Sequence, residues 1–554
     1  MSGMDSNPTL VALGAGAVAA GLALILRRLE LSRAKHPSLA GHARLSRRVA
    51  RLIPFYEYED AQFFAADGAP PAVADRRRAA FEALEALYRQ RFARGAALSA
   101  QARERISDLQ FTRAYRVPFQ FSRRVRESLD AGNFVRSAAG VRLVDVDGNE
   151  MYDLTGSYGV NVFGHDFYRE CLTDGASRTG AMAVVLGAYH PVVADNARRL
   201  CEISGQDEVS FHMSGTEAVM QAVRLARYHT GRSHLVRFCG AYHGWWGDVQ
   251  PGVGNPQVAR DTYTLADMDD ASLRVLRRRR DIACVLVNPL QALHPNASAP
   301  SDGALMDGGR RARFDRAAYT AWLRRLRDVC TERGIVLVFD EVFLGFRLGR
   351  TGAQGYFGVA ADMVTYGKTV AGGLPVGVLC GRRDLMKRYR DDRPADVCFA
   401  RGTFNAHPQV MGTMAAFLDR LDTPVVAGMY DDLDARWNAR AERLNERLAA
   451  AGLPVRVENL SSVWTVTYGR PSRYNWMLQY YLRAEGLALS WVGTGRIIFS
   501  LDFSEADFQE VVGRFQRAAE RMEADGWWWT PAGATNRGVR RRILGETLVR
   551  RLKG

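Results

Sequence analysis

No C-x-x-C spacing occurs among the seven cysteines (Cys171, Cys201, Cys239, Cys284, Cys330, Cys380 and Cys398), and most of them stand inside apolar runs. A scattered, odd-numbered set excludes a disulfide framework and a cysteine-type zinc site, and reads as reduced, buried thiols of a cytoplasmic protein. Internal repeats and low-complexity segments are also missing outside one apolar stretch, which excludes a solenoid. Basic residues outnumber acidic ones at the two ends. Residues 1–130 carry 21 Lys+Arg against 13 Asp+Glu, and residues 531–554 carry seven against one, so the 400 residues between hold only +1 of the formal +15. Attraction to anionic partners therefore belongs to the ends and not to the central body.

Long hydrophobic runs are limited to residues 9–26, TLVALGAGAVAAGLALIL, which is 18 residues without a charge. That length is at the lower edge of what spans a bilayer. Asp5 precedes it and Arg27, Arg28, Arg33 and Lys35 follow, the reverse of a secretory signal peptide. The expectation is an uncleaved single-pass transmembrane helix over 1–26, with the body of the protein in the cytoplasm. The alternative is an Ala/Gly-rich helix packed against the protein itself. At the other end, GWWWTPAGATNRGVRRRILGETLVRRLKG joins three tryptophans to basic residues. Tryptophan favours the bilayer interface and basic residues favour an anionic leaflet, so the tail over 526–554 is expected to add to membrane contact in preference to nucleic acid.

What is present is the material for a large α/β body: 554 residues, 47% of them hydrophobic, exceed one ordinary domain. Residues 27–114 are Arg-rich, with Phe81, Leu84, Tyr88 and Phe92 at successive helical steps, and form a basic helical extension. From Val141, VRLVDVDGNEMYDLTGSYG flanks Asp147-Gly148 with alternating apolar residues, which predicts a hairpin. Strand-like runs at 282–287, 335–339 and 363–366 alternate with helical stretches such as 218–228 and 316–331, which argues a largely parallel sheet. After about residue 422 the pattern reads as a smaller α+β domain, with strands at 462–468 and 496–500.

Four stretches carry chemistry. Ser214-Gly215-Thr216 lies between a short strand and an amphipathic helix, where backbone N–H groups and the helix dipole bind a phosphate or where Ser214 is a plain N-cap. Asp340 and Glu341 end an apolar strand, at the edge where α/β folds bind ligands. Lys368 follows the next strand and precedes Gly372-Gly373; an amine in such a low-dielectric turn loses proton affinity and becomes a nucleophile suited to a Schiff base. Tyr242 and His243, in GAYHGWWGD, supply aromatic surface able to cover a planar ring or to pack the core. Together these describe a pyridoxal 5'-phosphate site.

The stretches LVDVDGNEMYDLTGSYGVNVFGH, SGTEAVMQAVRLAR, YHG, FDEVFLGFR, YGKTVAGGLPVG and GTFNAHP, in that order over roughly 115–520, resemble the class III aminotransferases of fold type I, closest to the glutamate-1-semialdehyde aminomutase branch. The resemblance implies a fold type I transferase with a small domain begun by 115–170 and completed by 422–525, around a large cofactor-binding domain over 171–421. It implies that Lys368 forms the Schiff base and shuttles the proton, and that Asp340 pairs with the pyridine nitrogen. Ser214, Gly215 and Thr216 would hold the phosphate, Tyr242 would stack on the ring with His243 beside it, and Val342 would pack on the opposite face. Thr403 would reach the phosphate of a neighbouring subunit, which implies a homodimer. The expected reaction moves an amino group from a small-molecule donor to an aldehyde or ketone acceptor; the anchor suggests a hydrophobic, lipid-like or secondary-metabolite acceptor. The alternatives are a 2,1-aminomutase and a scaffold without catalysis. Asn288-Pro289 stands where the family usually has Glu-Pro, the neighbouring LQALHPN is atypical, and Phe343-Leu344 follows the acid where the closest branch tends to be smaller and polar. These departures bear on the substrate and leave the cofactor chemistry intact.

Overall fold

The computed structural model describes residues 8–114, 117–250, 253–254, 259–293, 313–490 and 496–553. A hairpin opens the body: β1 (Val135–Ala139), β2 (Arg142–Asp145) and β3 (Glu150–Asp153) pair antiparallel, and Gly148 takes the turn at φ +87. The Asp145 carboxylate accepts from the backbone N–H groups of Asp147 (3.0 Å) and Asn149 (2.8 Å), which fixes the turn from inside.

The centre is a seven-stranded sheet. Its members are β4 (Glu208–His212), β5 (His234–Phe238), β6 (Thr262–Leu265), β7 (Ile282–Val287), β8 (Val336–Asp340), β9 (Met363–Gly367) and β10 (Gly377–Gly381), in the order β4-β10-β9-β8-β7-β5-β6. All pairs are parallel except those of β10, which runs against both β4 and β9. Burial on both faces explains why β7, β8 and β9 read as continuous apolar runs and not as alternating ones. The helices Gly215–Thr230 and Arg316–Arg333 contain the two helical stretches expected from the periodicity. Because β4, β5, β8 and β9 point the same way, their carboxyl ends share one edge of the sheet, and the chain delivers Ser214, Tyr242, Asp340 and Lys368 there.

After the ribbon β11 (Tyr389–Arg390) and β12 (Arg393–Val397), the chain builds β13 (Val455–Leu460), β14 (Val463–Tyr468), β15 (Leu487–Ala488) and β16 (Arg496–Ile498). The order β13-β14-β16 makes a small antiparallel sheet, whereas β15 joins β3 in parallel, Leu487 opposite Tyr152. Segments from both sides of the large sheet thus meet in one four-stranded sheet. The helical extension packs here too: Phe81, Leu84, Tyr88 and Phe92 are buried, and the Tyr88 hydroxyl donates to the Tyr480 carbonyl at 3.0 Å.

Two expectations about the ends are overturned. Among the described residues no helix is long and apolar enough to cross a membrane, so the single-pass anchor and the localisation built on it are not supported. The helix Pro8–Arg33 runs without a break past the apolar stretch, so its last turns carry Arg27, Arg28, Glu30 and Arg33. Those turns are held by the body: Glu30 pairs with Arg278 at 2.9 Å, Arg279 donates to the Arg27 carbonyl at 3.0 Å, and the Ala34 carbonyl accepts from Ala266 N–H at 2.8 Å. Residues 1–7 lie outside the described residues. The tail likewise does not present an interfacial tryptophan cluster. Trp527 and Trp528 are fully buried, their indole N–H groups donating to the Tyr481 hydroxyl (2.7 Å) and to Asn475 Oδ1 (3.0 Å). The tail then forms the helix Asn536–Lys553, which is clamped onto the extension. Glu546 binds the buried Arg473 guanidinium at 2.6 Å and accepts from the Tyr58 hydroxyl, and Arg551 donates to the Leu52 carbonyl at 2.7 Å.

Candidate active site

Asp340 closes β8 and is 3% exposed. Its Oδ2 is 2.8 Å from Nδ1 of the equally buried His243, and its Oδ1 accepts from Val342 N–H (3.2 Å) and the Thr365 hydroxyl (3.3 Å). A carboxylate taken out of water in this way needs such partners, and three fix its orientation. His243 Nε2, buried, has no hydrogen-bond partner among the described residues. Glu341, next in the chain, faces the other way: its carboxylate accepts from Ala353 N–H (2.6 Å) and Gln354 N–H (3.4 Å) and so pins the short helix Gly352–Phe357. Of the two adjacent acids, one belongs to the cleft and the other to the scaffold.

Lys368 follows β9 in the left-handed region at φ +48, a conformation that costs a non-glycine residue free energy and recurs at functional sites. Burial pulls its amine below the ordinary lysine range, and the Asp340 charge opposes that shift. The amine nitrogen is 5.7 Å from the centroid of the Phe343 ring.

The helix Gly215–Thr230 starts at the same edge. The Ser214 hydroxyl accepts from Glu217 N–H at 3.3 Å, so the plain capping role is real. The first-turn N–H groups of Gly215 and Thr216 have no acceptor within the helix. Close packing explains the glycines here. A Cβ on Gly215 would lie 2.6 Å from Val342 Cγ1, one on Gly367 would lie 3.1 Å from the same atom, and one on Gly244 would lie 2.6 Å from the Thr216 hydroxyl. Val342 therefore packs directly on Gly215 and Gly367, and the Tyr242-His243-Gly244 loop on Thr216, all at this edge of the sheet. Tyr242 is half-exposed at the rim, and its carbonyl accepts from the Asn288 amide at 3.1 Å. Asn288 thus braces the tyrosine loop. Of LQALHPN, the last residues, 294–296, lie outside the described residues. Thr403 stands apart, exposed on the turn before the helix Pro408–Leu421.

Three features were not anticipated from the sequence. The stretch Gly156–Gly159 has four consecutive residues at positive φ, including Ser157 (+45) and Tyr158 (+57). It is held by the Thr155 hydroxyl, which accepts from Ser157 N–H at 2.9 Å, and by Asp153, which accepts from Thr155 and lies 3.0 Å from His165 Nε2. Arg347 is fully buried, with no carboxylate partner among the described residues; it donates to the Ser462 hydroxyl (2.7 Å) and to the Phe499 (2.6 Å) and Asn161 (3.0 Å) carbonyls. Tyr168 accepts from Val162 N–H (2.8 Å) and shares a 2.6 Å hydrogen bond with Thr369, next to Lys368. Bracketing glycines in GSYG were the one available signal.

A largely parallel sheet with a buried acid, a desolvated lysine and a helix start at one edge defines a fold type I transferase of the pyridoxal phosphate class. The family described as Aminotransferase class-III matches residues 125–248 and 315–519, and the chain belongs to it. Class III aminotransferases are pyridoxal-phosphate enzymes, and this chain is one of them. Similar proteins include the glutamate-1-semialdehyde 2,1-aminomutases of Citrifermentans bemidjiense, 32% identical over 62% of this chain and 78% of that one, and of Syntrophobacter fumaroxidans, 33% identical over 60% and 74%. Among solved structures, a transaminase with pyridoxal phosphate bound superposes with a TM-score of 0.63 at 28% identity, covering 78% of this chain and 99% of that one. A glutamate-1-semialdehyde aminomutase from Pseudomonas aeruginosa superposes equally well, TM-score 0.63, over 81% and 99% at 18% identity, which speaks to the fold alone.

Proposed function

We propose that this chain is a homodimeric aminotransferase that moves an amino group from an amine donor to a separate aldehyde or ketone acceptor, with Lys368 as the residue that carries pyridoxal phosphate. The observation behind the reading is the convergence of Lys368, the Asp340–His243 pair and the Gly215–Thr230 helix start on one sheet edge. The residues fit the cofactor. The bare first-turn N–H groups with Ser214, Gly215 and Thr216 suit a phosphate, the Val342 side chain packed on Gly215 and Gly367 offers one apolar face for a flat ring, and Tyr242 at the rim can cover its other face.

Bound pyridoxal phosphate supplies the electron sink for negative charge at the carbon that bears the amine. The protein supplies the rest. Asp340, oriented by His243 and Thr365, holds the proton on the ring nitrogen. Lys368 anchors the cofactor and afterwards takes and returns the proton at the reacting carbon; burial favours the neutral form of its amine, which that role uses. Thr403 of one subunit reaches the phosphate in the other. In its support, Thr403 is exposed, and Phe399 and Phe404 on either side of it in sequence expose more than half of their surface in a single chain.

The expectation of a lipid-like acceptor rested on the anchor and loses that support. What supports an apolar acceptor is Phe343 beside Lys368. A second reading, 2,1-aminomutase chemistry within one molecule, is favoured by the curated relatives at 32% and 33% identity. Incubating the holoenzyme with amine donors and no acceptor separates the two. Stoichiometric release of free keto product, with turnover only after an acceptor is added, is expected; an isomerised amine with no free keto product would establish the mutase instead.

A further inference from the structure

Phe343 lies where three features of the site meet. Its ring is 5.7 Å from the Lys368 amine and 6.0 Å from the Arg347 guanidinium. It also fills the space a side chain would need at Gly159, since a Cβ there would sit 2.7 Å from ring atoms Cδ2 and Cε2. Gly159 is the last residue of the strained positive-φ stretch, at φ +98, and the stretch keeps that shape only where its surroundings enforce it. Arg347 is immobilised by three acceptors, so the ring rests against fixed neighbours on two sides.

We propose that Phe343 is a positioning residue for the Lys368 amine, its ring face attracting the ammonium and bridging it to the Gly156–Gly159 loop so that the amine is held in the cleft beside Asp340. An aliphatic side chain of similar size fills the space without the attraction, because only the aromatic quadrupole draws a cation. A polar side chain would hydrate the amine. The lowered proton affinity of Lys368 agrees with the water-poor side that the ring provides. The inference rests on Lys368 being the residue that carries the cofactor.

The test uses apoenzyme of the full chain. Covalent attachment of pyridoxal phosphate is timed by borohydride trapping and peptide mass spectrometry; with only four lysines in the chain (Lys35, Lys368, Lys387 and Lys553) the label is assigned without ambiguity. Binding of pyridoxamine phosphate, which cannot attach to a lysine, reports the cradle separately. Because the neutral amine attacks and the ring face favours the ammonium, Phe343→Leu is expected to move the pH midpoint of the attachment rate at Lys368 down by about half a unit, the scale of a partly desolvated cation–π contact, while leaving pyridoxamine phosphate affinity and thermal midpoint close to wild type. Phe343→Tyr, which keeps the ring, restores the midpoint, and Phe343→Met replaces Phe343→Leu if the latter folds poorly. The same midpoint in all variants, or losses of attachment, affinity and stability in parallel, would overturn the proposal. Label on another lysine would instead overturn the assignment of Lys368, and the role of Phe343 with it.

Discussion

Two neighbouring acids at the end of β8 separate by what they touch. Asp340 meets His243, Thr365 and Val342 in the cleft, whereas Glu341 meets backbone N–H groups of a structural helix. Asp340→Asn should retain pyridoxal phosphate but lose roughly two to three powers of ten in kcat, the scale seen when one electrostatic partner is removed; single-turnover kinetics checks this. Glu341 gives a different signature. Burial raises its carboxyl from 4.5 to about 7, so the folded chain keeps a proton that the unfolded chain releases in that window. Its contribution to stability is fully present below the lower value and is lost as pH rises through the upper one. Glu341→Gln imitates the protonated form, so between about pH 5 and about pH 8 the wild type should lose on the order of 1–3 kcal/mol relative to the variant in denaturant titrations. A constant difference across that range would contradict the assignment.

At the scale of elements, the site depends on loops whose shape is imposed from a distance. Gly159→Ala places a Cβ against the Phe343 ring and forces an unfavourable φ, and should cost about 2–4 kcal/mol by denaturant midpoint. The C-terminal helix depends on one acid: Glu546→Ala leaves the buried Arg473 short of its carboxylate, and because Glu546 is partly exposed the loss should be about 1–3 kcal/mol, with faster tryptic cleavage within 537–551. These elements also mark where sequence reading works. The strand ends carrying Asp340 and Lys368 and the helix after Ser214 were legible because they depend on local periodicity, glycines and caps. The strain in Gly156–Gly159 was not, since Phe343 and Ile498, which press on it, lie far along the chain. Arg347 was equally silent, being a hub for Asn161, Ser462 and Phe499. Residues 9–26 were misread because hydropathy weighs composition alone, while the last turns of their helix are fixed by Arg278, Arg279 and Ala266. The tail was misread for the same reason, two of its three tryptophans being claimed by Tyr481 and Asn475.

For the whole molecule, the segments outside the family match fold onto each other. The extension and the C-terminal helix share the Tyr58–Arg473–Glu546 cluster, and Arg77 ties Asp67 (2.7 Å) to the Gly526 carbonyl (2.8 Å). The body they brace leaves Thr403 exposed, and in the proposed dimer it would act on the neighbouring subunit's site. Mixing Lys368→Ala and Thr403→Ala subunits should regenerate one wild-type site per heterodimer if Thr403 acts across the interface; a mixture no better than its parents would confine Thr403 to its own subunit, and a fully active Thr403→Ala would place it outside the site. The central claim, that Lys368 makes this an amino-transferring pyridoxal phosphate enzyme, is tested most directly by the absorbance of the purified protein. The account predicts a cofactor band near the visible edge that an amine donor bleaches and a carbonyl acceptor restores, and that Lys368→Ala abolishes. A band that survives in Lys368→Ala, or that amines leave unchanged, would contradict it.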